Sequence, residues 1–559
     1  MYNIIDYINE NGEKSFEDMP FNPVDSLCLS QLSYLKYDGM IPGPDEGAPS
    51  VTFPGLAMRE DVDRLFTDKR YEKNNRALFN AAAGSRRFGT IGLNCFVNMI
   101  DEDWELQFSA MTCICGGFSY IVFRGTDDNV VGWKEDLILS YRSDTPGQLR
   151  AVDYLTRIAA LTDCPLRACG HSKGGNKAMY VTIICDNVDR CICYDGQGFS
   201  QEFMDKYSVE IQQNSSKITC YALETDFVHL LLFPVPGTNT IYMAEGDLIE
   251  GKGGKGHYPE GPFNIIEADG KWYIRQEGGM IREVSKPNKV VEILHDLTNF
   301  MVNNMSPDER RQMAEFLGPL VASLRCPDDY PLDLVIYIQE NREVAVKLVA
   351  YILKYMKDND LDFDMILDLV EMIGILKEDF LKLLSKVSHV PEGLIKTLVN
   401  FLLDNITDGK DDPFIHFMID RLFGDNAELI HDIWHEIEDA YTSIHVTAGT
   451  GNYVSKIRDY SRQNYELIME TIRAVSGISL PGANGWSAFS TESWYAKMQI
   501  AHSIRCINGY NKAIEDICDE CCVRANNTFD AMKNVDKVYG ERIRQTASSA
   551  QELVGRILG

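Results

Sequence analysis

The six residues from Gly170 to Gly175, which read G-H-S-K-G-G, constrain the fold of this 559-residue chain more than any other segment. They follow an apolar run that ends at Cys169 and precede a helical pattern that begins near Asn176. Glycines two positions before and two positions after a serine permit a sharp strand-to-helix turn, because a side chain at either place would collide with the neighbouring strand or helix. The turn exposes the serine at its tip with a helix N-terminus behind it. The sequence therefore predicts a nucleophile elbow with Ser172 as the nucleophile.

Hydrophobic periodicity divides the chain into two kinds of sequence. From about residue 85 to 275, short apolar or β-branched runs alternate with helical patterns, which is typical of a mostly parallel sheet with crossover helices. From about residue 288 the pattern is helical only. We predict an α/β domain over 1–285, a helical domain over 286–445 and a hairpin of long helices over 446–559. Predicted strands include 118–123, 191–194 and 218–222, with edge strands at 240–243 and 272–275; predicted helices after residue 288 are 290–305, 307–324, 332–357, 363–386, 391–405 and 413–422.

The net charge of the chain limits the kinds of molecule that it is expected to bind. Lysine and arginine total 54 against 83 aspartate and glutamate, a net charge of -29. Such a surface repels phosphate backbones at long range, which argues against nucleic acid and against standing adsorption to anionic lipid. The first residues lack a basic stretch followed by an apolar run, and no apolar stretch is long enough for a membrane span. We therefore expect a cytoplasmic protein, with secretion by a signal-peptide-independent route as the alternative.

The 15 cysteines are an odd number and are scattered along the chain, unlike a disulfide framework. Cys518, Cys521 and Cys522 form a C-x-x-C-C cluster, but no second ligand pair at zinc spacing lies near them in the sequence. Reduced thiols are the simpler interpretation. We expect neither a metal nor a cofactor.

Three motifs in this order carry a family resemblance. The stretch F-R-G-T at 123–126 ends a predicted strand, W-K-E-D-L follows at 133–137, and G-H-S-K-G-G comes third. Together they resemble the fungal-lipase-like, or class 3 lipase, branch of the α/β-hydrolase superfamily. The segment 21–34 is similar to a bacterial subfamily of that branch, and the resemblance covers roughly residues 1–280. It implies an α/β-hydrolase fold and cleavage of carboxylic esters, of lipid or phospholipid, through a Ser-His-Asp triad and an acyl-enzyme.

The same resemblance assigns roles around Ser172. Thr126 matches the position of an oxyanion-hole donor, through its backbone N–H and its hydroxyl, and the backbone N–H of Lys173 would be the second donor. The acid of the triad follows the nucleophile in the chain. Asp226, after the predicted strand 218–222, matches that position. Asp195 is the alternative, but it lies one strand earlier, in a turn where aspartate caps the backbone.

Three histidines downstream are candidates for the base. His257 follows a glycine-rich segment and precedes a predicted strand pair, which matches the base position of the family. His229 is only three residues from Asp226, and His295 lies within a predicted helix. The resemblance favours His257, with His229 and His295 left open.

Two further features bear on the substrate. The segment 127–141, with Trp133 on its apolar face, occupies the place of a lid in lipases of this branch; a surface helix packed on the sheet is the alternative. Lys173 replaces the apolar residue common after the serine, which suggests either an anionic head group in the substrate or an ammonium that reaches water.

Two functions follow as hypotheses. In the first, the protein is an active esterase or lipase that makes transient contact with lipid. In the second, the hydrolase domain is a catalytically silent scaffold, and the helical half binds a protein partner or serves as a delivery module for type VII export.

Overall fold

The computed structural model describes residues 3–444, apart from 68–71, 128, 224–225, 244–264, 269–270, 275–288, 326–329, 373–374 and 407–412. All of these residues belong to the first of two units into which the chain divides, Met1–Val446. The helical hairpin predicted over 446–559 lies outside the described residues, so the three predicted domains stay a prediction. None of the described helices combines the length and the apolar character that a bilayer span requires.

Seven strands form one mixed sheet and lie in it in chain order. The first three are antiparallel, and every pairing from the third to the seventh is parallel. The predicted α/β architecture, a mostly parallel sheet with flanking helices, is therefore confirmed. The strands are β1 (Gly92–Asp101), β2 (Leu106–Cys115), β3 (Phe118–Phe123), β4 (Leu166–His171), β5 (Val188–Tyr194), β6 (Ile218–Leu223) and β7 (Asn239–Met243).

A second, two-stranded sheet joins β8 (Ile265–Ala268) to β9 (Lys271–Ile274). The prediction that 240–243 forms an edge strand is confirmed, because β7 ends the large sheet. The predicted strand at 272–275 is also present, as β9, but it pairs with the strand just before it and not with the large sheet. In the sequence, two apolar runs separated only by Asp269 and Gly270 are typical of a local hairpin.

Helices cover both faces of the large sheet. Side chains alternate between the faces along each strand. Tyr120 and Val122 of β3 therefore pack with the N-terminal helices, while Ile121 and Phe123 pack on the opposite side with the helices that follow β3 and β4. The helices of this part are α1 (Ile4–Asn11), α2 (Pro23–Leu32), α3 (Phe53–Ala57), α4 (Glu72–Gly84), α5 (Arg86–Gly89), α6 (Val130–Ile138), α7 (Pro146–Leu161), α8 (Lys173–Ile184), α9 (Gln201–Lys206) and α10 (Ser208–Asn214).

Nine further helices make up the described part of the helical region, as the periodicity predicts. Two predicted helices are each divided in two. The segment 332–357 is interrupted at Asn341, and the segment 363–386 is interrupted before Leu376, whose backbone is extended. The helices are α11 (Lys289–Asn304), α12 (Pro307–Arg325), α13 (Leu334–Glu340), α14 (Arg342–Asp358), α15 (Phe363–Met372), α16 (Lys377–Ser388), α17 (Glu392–Asn405), α18 (Pro413–Phe423) and α19 (Ala427–Ser443).

The helical region packs on the α/β part through α12, which lies against α6. Arg310 of α12 anchors this contact. Its guanidinium donates to the carbonyl oxygen of Ser140 at 2.8 Å and to the carboxylate of Glu202 at 3.1 Å, and both charged side chains are about nine-tenths buried. The two parts are therefore joined by a buried ion pair as well as by apolar contact.

Candidate active site

The turn between β4 and α8 holds Ser172 in a strained backbone conformation. Its φ of 58° and ψ of -130° lie in a region that residues with a Cβ rarely adopt. Two hydrogen bonds fix the turn: the Ser172 N–H donates to the carbonyl oxygen of Tyr194 at 2.8 Å, and the Ser172 carbonyl accepts from Asn176 at 3.1 Å. The predicted strand, turn and helix are therefore present around Ser172.

Two glycines of the elbow lie where the structure leaves no room for a Cβ atom. A Cβ on Gly170 would lie 2.4 Å from the carbonyl carbon of Gly174, and a Cβ on Gly174 would lie 2.2 Å from the carbonyl oxygen of Phe123. Both neighbours are backbone atoms, which cannot turn aside as a side chain can. The close contact of β3, β4 and α8 thus depends on glycine at both positions.

Tyr34 lies beside the elbow, although sequence reasoning assigned it no role. Its hydroxyl is 3.0 Å from Nδ1 of His171, the buried residue just before the nucleophile. A Cβ on Gly125 would come within 2.1 Å of the same hydroxyl. Tyr34 therefore packs against both β3 and β4 where they end. The sequence feature that could have indicated Tyr34 is its place in the segment 21–34, which resembles the family.

The two candidate oxyanion donors sit at the ends of adjacent parallel strands. Thr126 follows β3, and Lys173 begins α8 directly after Ser172. Within the described part of the chain, neither the Thr126 nor the Lys173 backbone N–H donates a hydrogen bond. The Thr126 hydroxyl, in contrast, donates to Asp136 at 2.7 Å. In this arrangement, only the backbone N–H of Thr126, and not its hydroxyl, is available to donate to an oxyanion.

The side chain of Lys173 points into the protein. Its ammonium donates to the carbonyl oxygen of Glu135 at 2.9 Å and lies 3.4 Å from a carboxylate oxygen of Asp136, and the residue is 2% exposed. Burial raises the pKa of Asp136, and the Lys173 ammonium opposes that rise. The suggestion that this ammonium reaches water was wrong, and it is bound internally rather than presented to a substrate head group.

The segment 127–141 contains α6, which is anchored by buried polar contacts. The Glu135 carboxylate accepts from the N–H of Gln107 at 3.1 Å, from the hydroxyl of Thr145 at 2.9 Å and from the N–H of Gly147 at 2.9 Å. Nearby, burial lowers the pKa of Lys177, and the charge of Glu135 opposes this. Helix α6 also packs against β2 and α12, which favours the packed-helix alternative over a lid.

Asp226 follows β6 in a buried turn. One of its carboxylate oxygens accepts from the backbone N–H of Val228 at 2.7 Å and of His229 at 3.2 Å. These bonds fix the carboxylate after the end of β6. That strand lies next to β5, which precedes Asp195, and two strands from β4, which precedes Ser172. The edge formed by the carboxyl ends of parallel strands is where α/β proteins bind ligands.

Asp195 follows β5 and is fully buried, with φ at 46°. Its carboxylate accepts from the N–H of Leu223 at 2.8 Å, so it caps the end of the neighbouring strand as its turn sequence indicates. Burial raises its pKa well above the usual range, and the charge of Asp226 raises it further. Burial and the neighbouring charge of Asp226 therefore both favour the protonated form of Asp195.

His229 lies beside the carboxylates of Asp195 and Asp226. Its Nδ1 is 3.6 Å from a carboxylate oxygen of Asp226, and the ring packs on Tyr242. Among the described residues neither ring nitrogen of His229 forms a hydrogen bond. Ligand-type atoms of Asp195, Asp226 and His229 lie within 4.8 Å of one another, an arrangement of a kind that can hold a metal ion.

The other two histidine candidates are placed differently. His295 lies on α11, as predicted, where Nδ1 contacts the carbonyl oxygen of Leu230 and the Asn299 amide lies 3.1 Å from Nε2. His257 lies outside the described residues, in the sequence that follows β7. Among the described residues, no hydrogen bond joins a histidine to the hydroxyl of Ser172.

One comparison with known proteins bears on this site. The chain matches the Mbeg1-like family over residues 82–247. That family is of the lipase-like, α/β-hydrolase type. The matched range begins in α4 and continues just past β7, so it contains the elbow, the end of β3 and Asp226, and it stops before His257. No curated protein matches the chain.

Proposed function

We propose that this protein is a serine hydrolase that cleaves carboxylic esters of lipid or phospholipid through a Ser-His-Asp triad and an acyl-enzyme. The observation that carries the proposal is the strained backbone of Ser172 at the strand-to-helix turn. Strain of this kind persists where the surrounding structure enforces it, and it is concentrated at catalytic sites. In hydrolases of this type the same turn presents the serine oxygen to the substrate.

The reaction has two halves. The Ser172 hydroxyl attacks the ester carbonyl while the base takes its proton, and the negative charge on the carbonyl oxygen is met by the backbone N–H groups of Thr126 and Lys173. Each such donor contributes on the order of 3 kcal/mol to stabilising the transition state. The base then returns the proton to the departing alcohol. Water attacks the acyl-enzyme in the same way and releases the carboxylic acid.

Asp226 is proposed as the acid and His257 as the base. Ser172 follows β4, Asp226 follows β6 and His257 follows β7, so all three come after the carboxyl ends of parallel strands in the order that this fold uses. His229 is the competing base, because its ring lies 3.6 Å from Asp226. Both assignments keep Ser172 and Asp226 in their roles.

Lipid or phospholipid is the proposed substrate class, on the strength of the match to a lipase-like family over 82–247. Recognition of an anionic head group by the Lys173 ammonium is not part of the proposal, because that ammonium is bound to Glu135 and Asp136. Contact with a lipid surface would be transient, given the net charge of -29.

A catalytically silent scaffold is the second candidate. It is favoured by one observation: among the described residues, no histidine forms a hydrogen bond to the Ser172 hydroxyl. In that case the helical half would bind a protein partner or serve as a delivery module for type VII export. The protein would then be secreted without a signal peptide and would not stay in the cytoplasm. Fractionation of the native host with lysis controls tests delivery, and protein confined to the cell pellet would contradict it.

The enzymatic proposal is tested with a series of p-nitrophenyl esters and with phospholipid vesicles. We expect release of carboxylic acid by the wild-type protein and a loss of at least about 10³-fold in kcat/KM for Ser172→Ala. Ser140→Ala is a matched control, because that serine lies outside the elbow, after α6. Hydrolysis that persists in Ser172→Ala would contradict the role of Ser172. The lack of any turnover across all substrates would favour the silent scaffold instead.

A further inference from the structure

Two neighbouring helices of the helical region bring three histidines and one aspartate together. His416 and Asp420 lie one turn apart on α18, and His431 and His435 lie one turn apart on α19. Residues four positions apart share one face of a helix. The rings of His416 and His431 stack with centroids 4.8 Å apart, and the centroid of the His435 ring is 5.3 Å from that of His416. These side chains are far from the candidate active site in sequence and play no part in it.

Two nitrogen atoms of this cluster already approach the spacing of metal ligands. Nδ1 of His416 lies 2.9 Å from Nδ1 of His431. Zn–N bonds are about 2.0–2.1 Å long, so two nitrogens on one tetrahedral zinc ion lie about 3.3 Å apart. Without a metal, one of the two facing nitrogens must carry the proton that the pair shares. A metal ion that enters between them releases that proton and takes both lone pairs.

Asp420 fixes the orientation of one ring. Its carboxylate lies 2.9 Å from Nε2 of His431 and accepts the proton of that nitrogen. The lone pair of His431 is thereby placed on Nδ1, which faces His416. A carboxylate that accepts from the far nitrogen of an imidazole is the usual support for a metal-binding histidine, since it sets the tautomer and raises the basicity of the ligand.

The cluster is open to a metal ion from solvent. His435 and Asp420 are exposed, while His416 and His431 are half-buried. The Nδ1 atoms of His416 and His431 are already together. The centroid of the exposed His435 ring is 5.3 Å from that of His416, so His435 becomes a third ligand only after its side chain rotates toward the pair. An acidic chain also raises the local concentration of divalent cations.

We propose that His416, His431 and His435 form a binding site for a divalent transition-metal ion, with Zn²⁺ as the first candidate and Asp420 as the residue that orients His431. Imidazole nitrogens are ligands that suit zinc, copper and nickel. The ion ties α18 to α19 and leaves a fourth coordination position for water. The proposal is independent of the hydrolase assignment.

The test is a Zn²⁺ titration of the metal-depleted full-length protein in competition with a chromophoric chelator. We expect one high-affinity equivalent in the wild-type protein and a loss of affinity of at least about 100-fold in His431→Ala and in His435→Ala. Asp420→Asn should weaken binding about 10- to 100-fold. His389→Asn is the matched control, because His389 is an exposed histidine at the end of α16, outside the cluster, in a left-handed conformation that asparagine tolerates.

Two other groups of residues are alternative places for the metal ion and need their own controls. They are the cysteines 518, 521 and 522, and the group of Asp195, Asp226 and His229. The triple variant Cys518→Ser, Cys521→Ser and Cys522→Ser should keep the equivalent, and Co²⁺ bound to the wild-type protein should lack the charge-transfer band of a thiolate ligand. The Co²⁺ spectrum needs no substitution, so it tests for cysteine ligands even if a variant fails to fold, and Asp226→Asn tests the group of Asp195, Asp226 and His229. Unchanged binding in His431→Ala, loss of the equivalent in Asp226→Asn alone, a thiolate band, or no binding at all would each overturn the proposal.

Discussion

Gly174 lies directly against the carbonyl oxygen of Phe123, so that a Cβ at this position would stand 2.2 Å from it. This contact presses the first turn of α8 against the end of β3 and sets the strained turn at Ser172 between them. The geometry of the candidate nucleophile is therefore fixed by a contact between two segments about fifty residues apart.

Gly174→Ala tests that dependence. We expect a loss of about 3 kcal/mol or more in stability, because the new methyl group meets backbone atoms that cannot move away without distorting the sheet. Gly393→Ala is the control, since Gly393 lies in α17 with nothing within 4 Å of its added Cβ, and there alanine should stabilise by about 0.5–1 kcal/mol. Thermal unfolding of both variants measures the difference, and equal effects would contradict the packing argument.

The buried acid Asp195 should make stability depend on pH. Its folded-state pKa is raised by burial and then by the charge of Asp226. The free energy of unfolding therefore decreases once the pH exceeds the unfolded-state pKa of about 3.9. The stability present below that pKa is lost as pH rises through the folded pKa. Asp195→Asn keeps the acceptor for Leu223 and removes the penalty, so the variant should melt at a higher temperature than wild type at pH 8 and close to it at pH 4. A difference that is constant with pH would contradict this.

The ion pair between Arg310 and Glu202 should hold the helical region to the α/β part. Arg310→Met leaves the buried Glu202 carboxylate without its cation, which costs about 3–5 kcal/mol for pairs of this kind. Replacing both residues, as Arg310→Met with Glu202→Gln, removes the unpaired charge and should recover part of the loss. Urea unfolding of the single and double variants checks this, and a double variant less stable than Arg310→Met would be the opposite of the expected coupling.

The choice of base is tested by two single substitutions. We expect His257→Ala to lower kcat/KM for ester hydrolysis by at least about 10³-fold, and His229→Ala to lower it far less. Asp226→Asn should also lower kcat/KM, because the Asp226 carboxylate orients the imidazole of the base. A large loss in His229→Ala with near wild-type activity in His257→Ala would transfer the role of base to His229.

Much of the local structure around the site was predictable because short motifs specify it. The glycines around Ser172 encode the strand-to-helix turn, and alternating apolar runs encode the parallel strands. The break at Asn341 was not predicted, because apolar spacing continues across it and local backbone geometry at one residue ends the helix. Helix α19 was likewise not singled out.

Contacts between distant segments were the part that sequence reasoning could not supply. The direction of the Lys173 ammonium depends on Asp136, which belongs to another helix. The proximity of His229 to Asp226 depends on how one short turn is folded by its hydrogen bonds. The histidine cluster of α18 and α19 has no motif of its own, and it exists only because two helices pack side by side.

The central claim is that Ser172 is an activated nucleophile, and a fluorophosphonate probe tests it most directly. We expect one probe adduct per native protein chain, found by mass spectrometry on the peptide that contains Ser172 and lost after Ser172→Ala or heat denaturation. A native protein that takes up no probe in the presence of lipid or detergent, or that carries the adduct on another residue, would contradict the claim.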